Sequence, residues 1–375
     1  MLRGKKKRRK MGDIDYGIFY TVVILLAIGV IMVYSASSYF AMIHDKNHNS
    51  AAFLIKQAFS AVLGVGMMFV VVNIDYHKLK KITPILMGIT VPLLLVVRLF
   101  PAVNGAQRWI PLGPLSFQPS ELAKYVVVFF LAMVLSNKGD EIKKFKMVVI
   151  YFGIAGFYAG LVLAQKNLSV ASIIMIVSFI MIFAAGARWQ DMFLKVAPVL
   201  AAGAAIFAFF EPYRRARMLN FLDPWKDAAG DGYQLIQSFY SLGAGGITGL
   251  GLGQSRQKAL YMPEPHNDFI FAIIGEELGL IGCCVIIALF LILIWRGYKV
   301  AMEAKDTYGS LMALGITSVI AVQCLINIAV VTGSMPVTGV PLPFISYGGT
   351  SLLITMMAIG ILLNISRQRK TSENN

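Results

Sequence analysis

The sequence predicts an all-α polytopic membrane protein with about ten transmembrane helices and one large extracytoplasmic loop between helices 7 and 8. Three observations lead to this fold class. Of the 375 residues, 57% are hydrophobic and 14% are charged, whereas soluble domains average about 25% charged residues. The mean hydropathy is +0.70. Charge-free apolar runs recur along the chain, and a helix crosses a bilayer core with about 20 such residues.

The ten helices are predicted in chain order from these runs. The helix at about 119–136 is an exception, because it carries Glu121 and Lys124 near its start. The run 307–366 contains no charged residue, but a Gly/Pro-rich break near 333–349 divides it into two helices. The remaining predicted helices lie at 16–40, 57–74, 82–97, 147–165, 167–187, 196–210 and 278–295.

The distribution of basic residues predicts the orientation. Ten helices put both termini on one side, and Lys and Arg accumulate on the cytoplasmic side. With both termini inside, 22 of the 34 Lys and Arg residues lie in inner segments. We therefore predict a basic cytoplasmic tail at 1–15, a single transmembrane domain at 16–366 with an extracytoplasmic loop at 211–264, and a cytoplasmic tail at 367–375.

The composition also argues against several classes of protein. The net charge of +15 is concentrated partly in the N-terminal tail, where it indicates contact with anionic lipid and not nucleic-acid binding. The three cysteines all fall within predicted helices and form no disulfide framework. Four scattered histidines argue against a structural zinc site. The glycine-rich run 243–253 follows no predicted strand, so a dinucleotide site is rejected and a flexible loop is expected.

Three outer segments are expected to converge over a cavity. The first, 104–124, leads into the fourth helix, the second is the loop 211–264, and the third, 336–349, is irregular and uncharged. Irregular backbone at membrane depth is stable only where protein covers it or where it lines a water-filled cavity. All three segments face the same side of the membrane in the predicted topology.

Asp268 is the main candidate for chemistry, because it lies where the long polar loop meets an apolar run. An ionisable side chain at a membrane boundary indicates a functional site. Pro265 suits the first turn of a helix, so we expect Asp268 within about the first turn of the eighth helix. Two interpretations stay open: a carboxylate that matches the helix dipole, or a general base whose pKa is raised in a partly dehydrated cleft.

The other carboxylates near Asp268 do not predict a hydrolase-type pair. Flanking prolines disfavour a continuous helical i,i+4 pair between Glu264 and Asp268. A glycosidase needs an acid to protonate its leaving group, whereas a pyrophosphate leaving group needs none. On a continuous helix, Glu276 and Glu277 would lie about 12 Å beyond Asp268, and we interpret them as buried partners of basic residues.

Basic side chains of the outer segments are candidates for binding an anionic headgroup. Arg matches phosphate oxygens in bidentate fashion, and Lys supplies a point charge. The alternative is that these side chains pair with nearby carboxylates or contact lipid headgroups. Lys124 lies one helical turn from Glu121, so it is either half of a buried ion pair or a ligand for an anionic headgroup. The basic residues concerned are Arg108, Lys124, Arg214, Arg215 and Arg217.

Several motifs resemble those of the SEDS proteins (shape, elongation, division and sporulation), over roughly residues 14–367. The motifs are QPSELAK (118–124), YQLIQS (233–238), GLGQSRQK (251–258), PEPHNDFIF (263–271), GEELG (275–279) and PLPFISYGG (341–349). The resemblance implies a ten-helix glycosyltransferase of the bacterial cytoplasmic membrane. Such an enzyme polymerises lipid II, an undecaprenyl-pyrophosphate-linked disaccharide pentapeptide, into peptidoglycan strands together with a class B penicillin-binding protein.

The same resemblance implies the site residues. The family's catalytic aspartate falls on Asp268. Either Arg and Lys side chains or a divalent cation such as Mg or Mn would stabilise the departing pyrophosphate, and the sequence leaves the metal requirement open. The family's supporting, substrate-binding positions fall on Glu264, Arg108, Glu121, Lys124, Arg214 and Arg217.

The subfamily is predicted from the loop 233–258, which resembles the division and sporulation branch (FtsW and SpoVE types) more than the elongation branch (RodA type). Two departures bear on this prediction. Thr338 stands where division-type members often carry Lys. Lys166 and Asn167 stand where the family often has Pro-Asp, which bears on any role of that acidic position.

Two alternatives come from other functional classes. A flippase or transporter for lipid-linked sugars would also use intramembrane charges and broken helices, but a carrier tends to place its site at the membrane midplane. A non-catalytic scaffold that binds a partner's transmembrane helix leaves the Asp268 segment without a purpose. The sequence does not decide among division, sporulation and elongation, and it does not identify the partner.

Overall fold

The computed structural model describes residues 12–44, 48–102, 106–112, 115–210, 215, 218, 220–230, 232–259 and 261–369. It confirms the prediction of an all-α protein. The α-helices of the described residues are α1 (Tyr16–His44), α2 (Ala52–Val72), α3 (His77–Val96), α4 (Pro119–Leu135), α5 (Phe145–Leu163), α6 (Leu168–Ala184), α7 (Ala197–Phe210), α8 (Tyr233–Gly245), α9 (Ile270–Glu303), α10 (Thr307–Val331) and α11 (Gly349–Ser366). Two short strands, β1 (Ile110–Leu112) and β2 (Leu115–Phe117), pair antiparallel.

Each of the ten predicted runs coincides with a helix, but not every helix qualifies as a membrane span by itself. Seven helices in the described part of the chain are long and apolar enough to cross a bilayer: α1, α2, α3, α5, α9, α10 and α11. The apolar helix α6 is shorter, α4 carries two charges, and α7 has 14 residues. The count of ten crossings therefore stays a prediction.

The helix predicted at 278–295 is longer than its apolar run. Helix α9 begins at Ile270 and bends at Gly279, where φ is +66°. A Cβ atom on residue 279 would lie 2.3 Å from the nitrogen of Gly249 and 2.5 Å from the carbonyl oxygen of Ile247. The bend thus accommodates close contact with residues 247 and 249 of the preceding loop. Glu276 and Glu277 exclude the first turns of α9 from the apolar run, but the expected helix start near Pro265 includes them and precedes the observed start at Ile270.

The glycine-rich part of the loop is more regular than predicted. Residues 243–245 belong to α8, so the expectation of a loop is wrong there. Beyond α8, the nitrogen of Leu250 donates to the carbonyl of Glu276 at 2.9 Å, and the nitrogen of Leu280 donates to the carbonyl of Gly246 at 2.9 Å. These bonds satisfy main-chain groups that the bend at Gly279 frees from the helix.

Helices α10 and α11 form the centre of the bundle, because most of their residues are buried. Helix α11 packs along α2, whereas α10 packs against α4, α6 and α9. The irregular segment 332–348 joins these two central helices. It therefore lies over the middle of the bundle, where irregular backbone must be covered by protein or line a cavity.

The two ends of the described chain lie against each other. The nitrogen of Gly12 donates to the carbonyl of Arg367 at 3.0 Å. Asp15, which precedes α1 and is buried, forms ion pairs with Arg369 and, at 3.5 Å, with Arg296. The ends are thus on the same side of the bundle, as an even number of crossings requires. Which side faces the cytoplasm stays a prediction.

Candidate active site

A cavity of about 680 Å³ lies where the three irregular segments meet. Part of each segment lines it: Arg108 from the first, Glu264 from the second and residues 339–341 from the third; Asp268 lines it just beyond the second segment. The structure thus shows the convergence that the sequence predicts. Six helices contribute further lining residues: Phe40 of α1, Ser60 of α2, Glu121 of α4, Ile173 of α6, Gln323 of α10 and Ser351 of α11.

Asp268 lies just outside α9, whereas the sequence placed it within the first turn. The helix begins at Ile270 and Phe269 is its N-cap residue, so Asp268 is not the capping residue. Its side chain is half-buried and lines the cavity. The chain before α9 is a series of turns and bends, and this geometry directs residues 264–268 toward the cavity.

Helix α10 fixes the main chain of Asp268. The Asn327 side-chain amide nitrogen donates to the carbonyl of Asp268 at 2.7 Å and to the carbonyl of Val340 at 2.7 Å. Gly339 adopts φ +71°, and a Cβ there would lie 3.1 Å from Oδ2 of Asp268. Glycine tolerates this backbone conformation and leaves room for the carboxylate. The carboxylate position is thus defined from two sides.

Further hydrogen bonds join the segment before α9 to the segment before α11. The nitrogen of Tyr347 donates to the carbonyl of His266 at 2.9 Å. The hydroxyl of Ser346 donates to the carbonyl of Asn267 at 2.9 Å and accepts from the nitrogen of Leu342 at 2.8 Å. Two irregular segments are therefore held together as one unit around Asp268.

Glu264 lines the same cavity, as the resemblance implies for a substrate-binding residue. It adopts φ +45°, a left-handed conformation that is uncommon for a residue with a side chain. Its carboxylate accepts a hydrogen bond from the Asn267 side-chain amide at 2.8 Å, and its carbonyl accepts from the Asn267 nitrogen at 3.0 Å. Asn267 thus stabilises the tight turn that presents Glu264 to the cavity.

His266 lines the cavity as a neutral ring that packs against aromatic side chains. Its ring lies 4.4 Å from that of Phe53 and 5.6 Å from that of Tyr347, centroid to centroid. Burial lowers the pKa of His266 from its ordinary value of 6.5 to about 4, because an imidazolium would lose its hydration there. The side chain is therefore neutral near pH 7.

A buried ionic cluster joins the end of the loop 211–264 to the first turns of α9. Lys258 forms an ion pair with Glu277 at 2.9 Å, and the hydroxyl of Ser35 on α1 also donates to Glu277. Glu276 accepts hydrogen bonds from the hydroxyl of Ser255 and from the nitrogen of Arg256 at 2.8 Å. The prediction of a basic partner is thus confirmed for Glu277, whereas Glu276 binds a hydroxyl and main-chain nitrogens.

Glu121 and Lys124 form a buried ion pair on α4. Nζ of Lys124 lies 3.0 Å from Oε2 of Glu121, and both side chains are almost fully buried. The hydroxyl of Ser351 donates to the same carboxylate oxygen at 2.6 Å. Glu121 lines the cavity, but Lys124 is not among its lining residues. Of the two interpretations for Lys124, the structure shows the ion pair.

The Arg108 side chain binds the turn that connects α5 and α6. Its guanidinium donates to the carbonyl of Gln165 at 3.3 Å and to the carbonyl of Lys166. Asn167, the next residue, caps α6 by accepting a hydrogen bond from the nitrogen of Val170 at 3.3 Å. Asn and Asp are comparable N-cap residues, so the departure from Pro-Asp at this position preserves the helix cap.

Three residues at this site were missed in the sequence. Lys56 on α2 is exposed and lines the cavity, but it immediately precedes a charge-free run and was treated as a boundary. Asn327 and Gln323 lie within an uncharged helix, where hydropathy alone does not single out an amide. Their spacing of four residues on one helix face is the available signal.

Two predicted site residues, Arg214 and Arg217, lie outside the described residues. Within the described ranges, no group of three or more His, Cys, Asp or Glu side chains is placed to hold a metal ion. The structure therefore brings together Arg108, Glu121, Glu264 and Asp268, with Lys124 behind Glu121.

The fold and the cavity define an integral membrane protein with a carboxylate-lined site at one end of a helical bundle. The chain belongs to the FtsW/RodA/SpoVE family of cell cycle proteins, whose family profile matches residues 16–371. It is therefore an integral protein of the bacterial inner membrane.

Two curated relatives and two solved structures illustrate this membership. Stage V sporulation protein E of Bacillus subtilis is 45% identical over 350 residues, which cover 92% of this chain and 94% of that protein. A probable peptidoglycan glycosyltransferase FtsW of Geobacter sp. (strain M18) is 40% identical, covering 96% and 99%. The chain of a structure described as "Structural coordination of polymerization and crosslinking by a peptidoglycan synthase complex" superposes with a TM-score of 0.78 at 29% identity, covering 96% and 99%. RodA of Thermus thermophilus superposes at 0.70 with 25% identity, covering 96% and 98%.

Proposed function

We propose that this protein is a peptidoglycan glycosyltransferase that polymerises lipid II at the outer face of the cytoplasmic membrane, in cell division or sporulation. The observation that carries the proposal is the position of Asp268. Its carboxylate lines a cavity at one end of the bundle, and hydrogen bonds from Asn327 and Ser346 hold the carbonyls of Asp268 and of the preceding Asn267. The curated names of the relatives support the same reaction class.

Asp268 acts as the general base in the proposed mechanism. It accepts the proton of the acceptor sugar's 4-hydroxyl while that oxygen attacks C1 of the donor sugar. The new C1–O bond forms as the bond from C1 to the phosphate oxygen breaks, and the electron pair leaves with the lipid pyrophosphate. Direct displacement at an α-linked donor gives a β-linked product, so the enzyme is inverting.

Basic side chains stabilise the negative charge of the departing pyrophosphate in this mechanism. In the described part of the cavity wall, Lys56 and Arg108 are the Lys and Arg residues. Arg108 already donates to two main-chain carbonyls, which fixes the direction of its guanidinium. Arg214 and Arg217 remain proposed ligands. A divalent cation, Mg or Mn, is an additional or alternative source of positive charge.

The remaining carboxylates have supporting roles in the proposal. Glu121 is neutralised by Lys124 and oriented by Ser351, which suits a residue that accepts hydrogen bonds from sugar hydroxyls. Lys124 then acts on substrate through Glu121. Glu264 presents its carboxylate from a tight turn on the same side of the cavity as Asp268.

The proposal also includes a partner and an orientation. The structural neighbour described as part of a peptidoglycan synthase complex supports assembly with a class B penicillin-binding protein. Both termini are in the cytoplasm, which puts the cavity on the outer side where lipid II is polymerised. The basic N-terminal tail contacts anionic lipid.

A flippase for lipid-linked sugars is the rival function, and one experiment separates the two. The purified protein in detergent is incubated with lipid II, alone and with its class B penicillin-binding protein, with and without a chelator. Glycan strands on a gel support the transferase, because detergent offers no second leaflet to which a lipid can be moved. Lipid II translocation in vesicles without strand synthesis under any condition would establish the flippase instead. Loss of strands with chelator would show the metal requirement.

A further inference from the structure

Gln323 has an unusual environment for a side chain in the middle of a membrane helix. It is 2% exposed and lies on α10, yet it lines the cavity. Its carbonyl oxygen is buried and has no hydrogen-bond partner among the described residues. Leaving a buried polar atom unpaired destabilises the folded protein. An amide kept at that cost, at the wall of a binding cavity, indicates that its partner is the ligand.

The position of Gln323 relative to Asp268 follows from α10. Gln323 and Asn327 are four residues apart, so they lie on the same face of the helix, about 6 Å apart along its axis. Asn327 binds the carbonyl of Asp268 at 2.7 Å. Gln323 therefore lies one helical turn from the residue that anchors the proposed general base, on the same side of the cavity. A sugar whose hydroxyl faces Asp268 would bring its ring substituents near Gln323.

We infer that Gln323 recognises the 2-acetamido group of the sugar whose hydroxyl is presented to Asp268. A carboxamide offers one acceptor and one N–H₂ donor, and an acetamido group offers the complementary N–H donor and carbonyl acceptor. The Gln323 carbonyl oxygen is closed to solvent in this structure, so the amide rotates about its terminal bond to accept from the acetamido N–H while its N–H₂ group faces the acetyl oxygen. This specificity role rests on the proposed glycosyltransferase function and deepens it.

The chemistry of the wall favours this ligand group over a charged one. Gln323 carries no charge, and its helix packs against α6, whose Val170 and Ile173 also line the cavity. A neutral amide in an apolar surround binds a neutral amide well, because neither group loses ionic hydration. A site built to hydrogen-bond a substrate group rejects an analogue that lacks the group, since its own polar atoms are then left unpaired.

The test compares two forms of lipid II, one with the 2-acetamido group on its terminal sugar and one with a free amine at that position. The full-length protein, with its class B penicillin-binding protein, is assayed for kcat and KM on each. We expect the wild type to prefer the acetamido form. Gln323→Met, which preserves size, should lower kcat/KM on that form roughly tenfold to a hundredfold and bring the ratio between the two forms close to one.

Thr317→Val is the matched control, because Thr317 is on the same helix, is buried and does not line the cavity, and its hydroxyl has no hydrogen-bond partner in the described part of the chain. It should keep the wild-type ratio. The inference fails if the wild type treats both substrates alike, a comparison that needs no variant to fold, or if Gln323→Met keeps the wild-type ratio. Absence of strand synthesis by the wild type on either substrate would instead overturn the proposed function.

Discussion

The side chain of Asn327 and the main chain of Asp268 are joined by a 2.7 Å hydrogen bond, and the same amide nitrogen binds Val340 at 2.7 Å. One side chain from a central helix thus anchors two irregular segments at once. Since the two segments belong to no helix or strand, this amide adds to the hydrogen bonds between them and fixes the carbonyl of the proposed base itself. Substitution of Asn327 therefore tests whether this hydrogen bond positions Asp268.

Asn327→Leu should lower kcat of strand synthesis at least tenfold with a smaller change in KM. Two carbonyls lose their donor, and Asp268 loses its fixed position, which affects the chemical step more than substrate binding. Asn364→Leu is the control. Asn364 is equally buried and also binds main-chain groups of another element, Tyr76 and Val72, but at the other end of the bundle. It should lower thermal stability and leave kcat of the folded protein unchanged.

Gly339→Ala should reduce activity in a protein that still folds. The new methyl group would lie 3.1 Å from Oδ2 of Asp268, at a backbone φ of +71°. Gly253→Ala introduces comparable backbone strain, since φ there is +81°, but a Cβ at that position meets nothing within 4 Å. Both variants should lose about 1 kcal/mol of stability, and only the first should lose strand synthesis. Equal activities would show that Gly339 has no influence on the carboxylate.

Lys258→Met should destabilise the protein by about 3 kcal/mol, because it leaves Glu277 buried without a cation. The side chains of this pair are 10% and 0% exposed. Lys226→Met is the matched control in the same loop, since Lys226 and Asp223 form an ion pair at 78% and 43% exposure, and exposed pairs contribute less than about 1 kcal/mol. Thermal unfolding in detergent measures both. Similar losses would contradict the anchoring role of the buried pair.

The wild type should lose stability as the pH falls from about 6.5 towards 4. An unfolded His266 ionises near pH 6.5, whereas burial lowers its pKa in the folded protein to about 4. The unfolded state therefore binds the proton first, so the contribution of neutral His266 is complete above about pH 6.5 and is lost below it. His266→Gln should show a shallower decline in melting temperature across this window. His48→Gln, at an exposed position, should decline as the wild type does.

Much of the fold was predictable because hydropathy in a membrane protein is a strong one-dimensional signal. Every predicted run coincides with a helix. Hydropathy alone did not show two features of α9: its apolar run begins only after Glu276 and Glu277, and the bend at Gly279 depends on a loop about 30 residues earlier in the chain. Contacts between residues so far apart in the chain cannot be read from the local composition of the sequence.

The position of Asp268 at the cavity was predictable because a charge stands there beside an apolar run, whereas Glu264 was placed by the resemblance, and Arg108 by its charge in an outer segment and by the resemblance. The sequence left two interpretations for Lys124, since a one-turn spacing to Glu121 fits both, and only the geometry distinguishes them. Lys56, Gln323 and Asn327 were missed because no pattern in the sequence connects α2 or α10 with the loop before α9. These residues become neighbours through tertiary packing alone.

The central claim is that Asp268 removes the proton from the acceptor hydroxyl, and the most direct measurement is lipid II polymerisation by purified Asp268→Asn. Asparagine preserves the shape of the side chain but is not a base, so strand synthesis should be abolished while thermal stability and membrane insertion stay those of the wild type. Asp223→Asn is the control, because Asp223 belongs to an exposed ion pair in the loop 211–264. This variant should remain active. Wild-type strand length and rate in the Asp268→Asn variant would contradict the account.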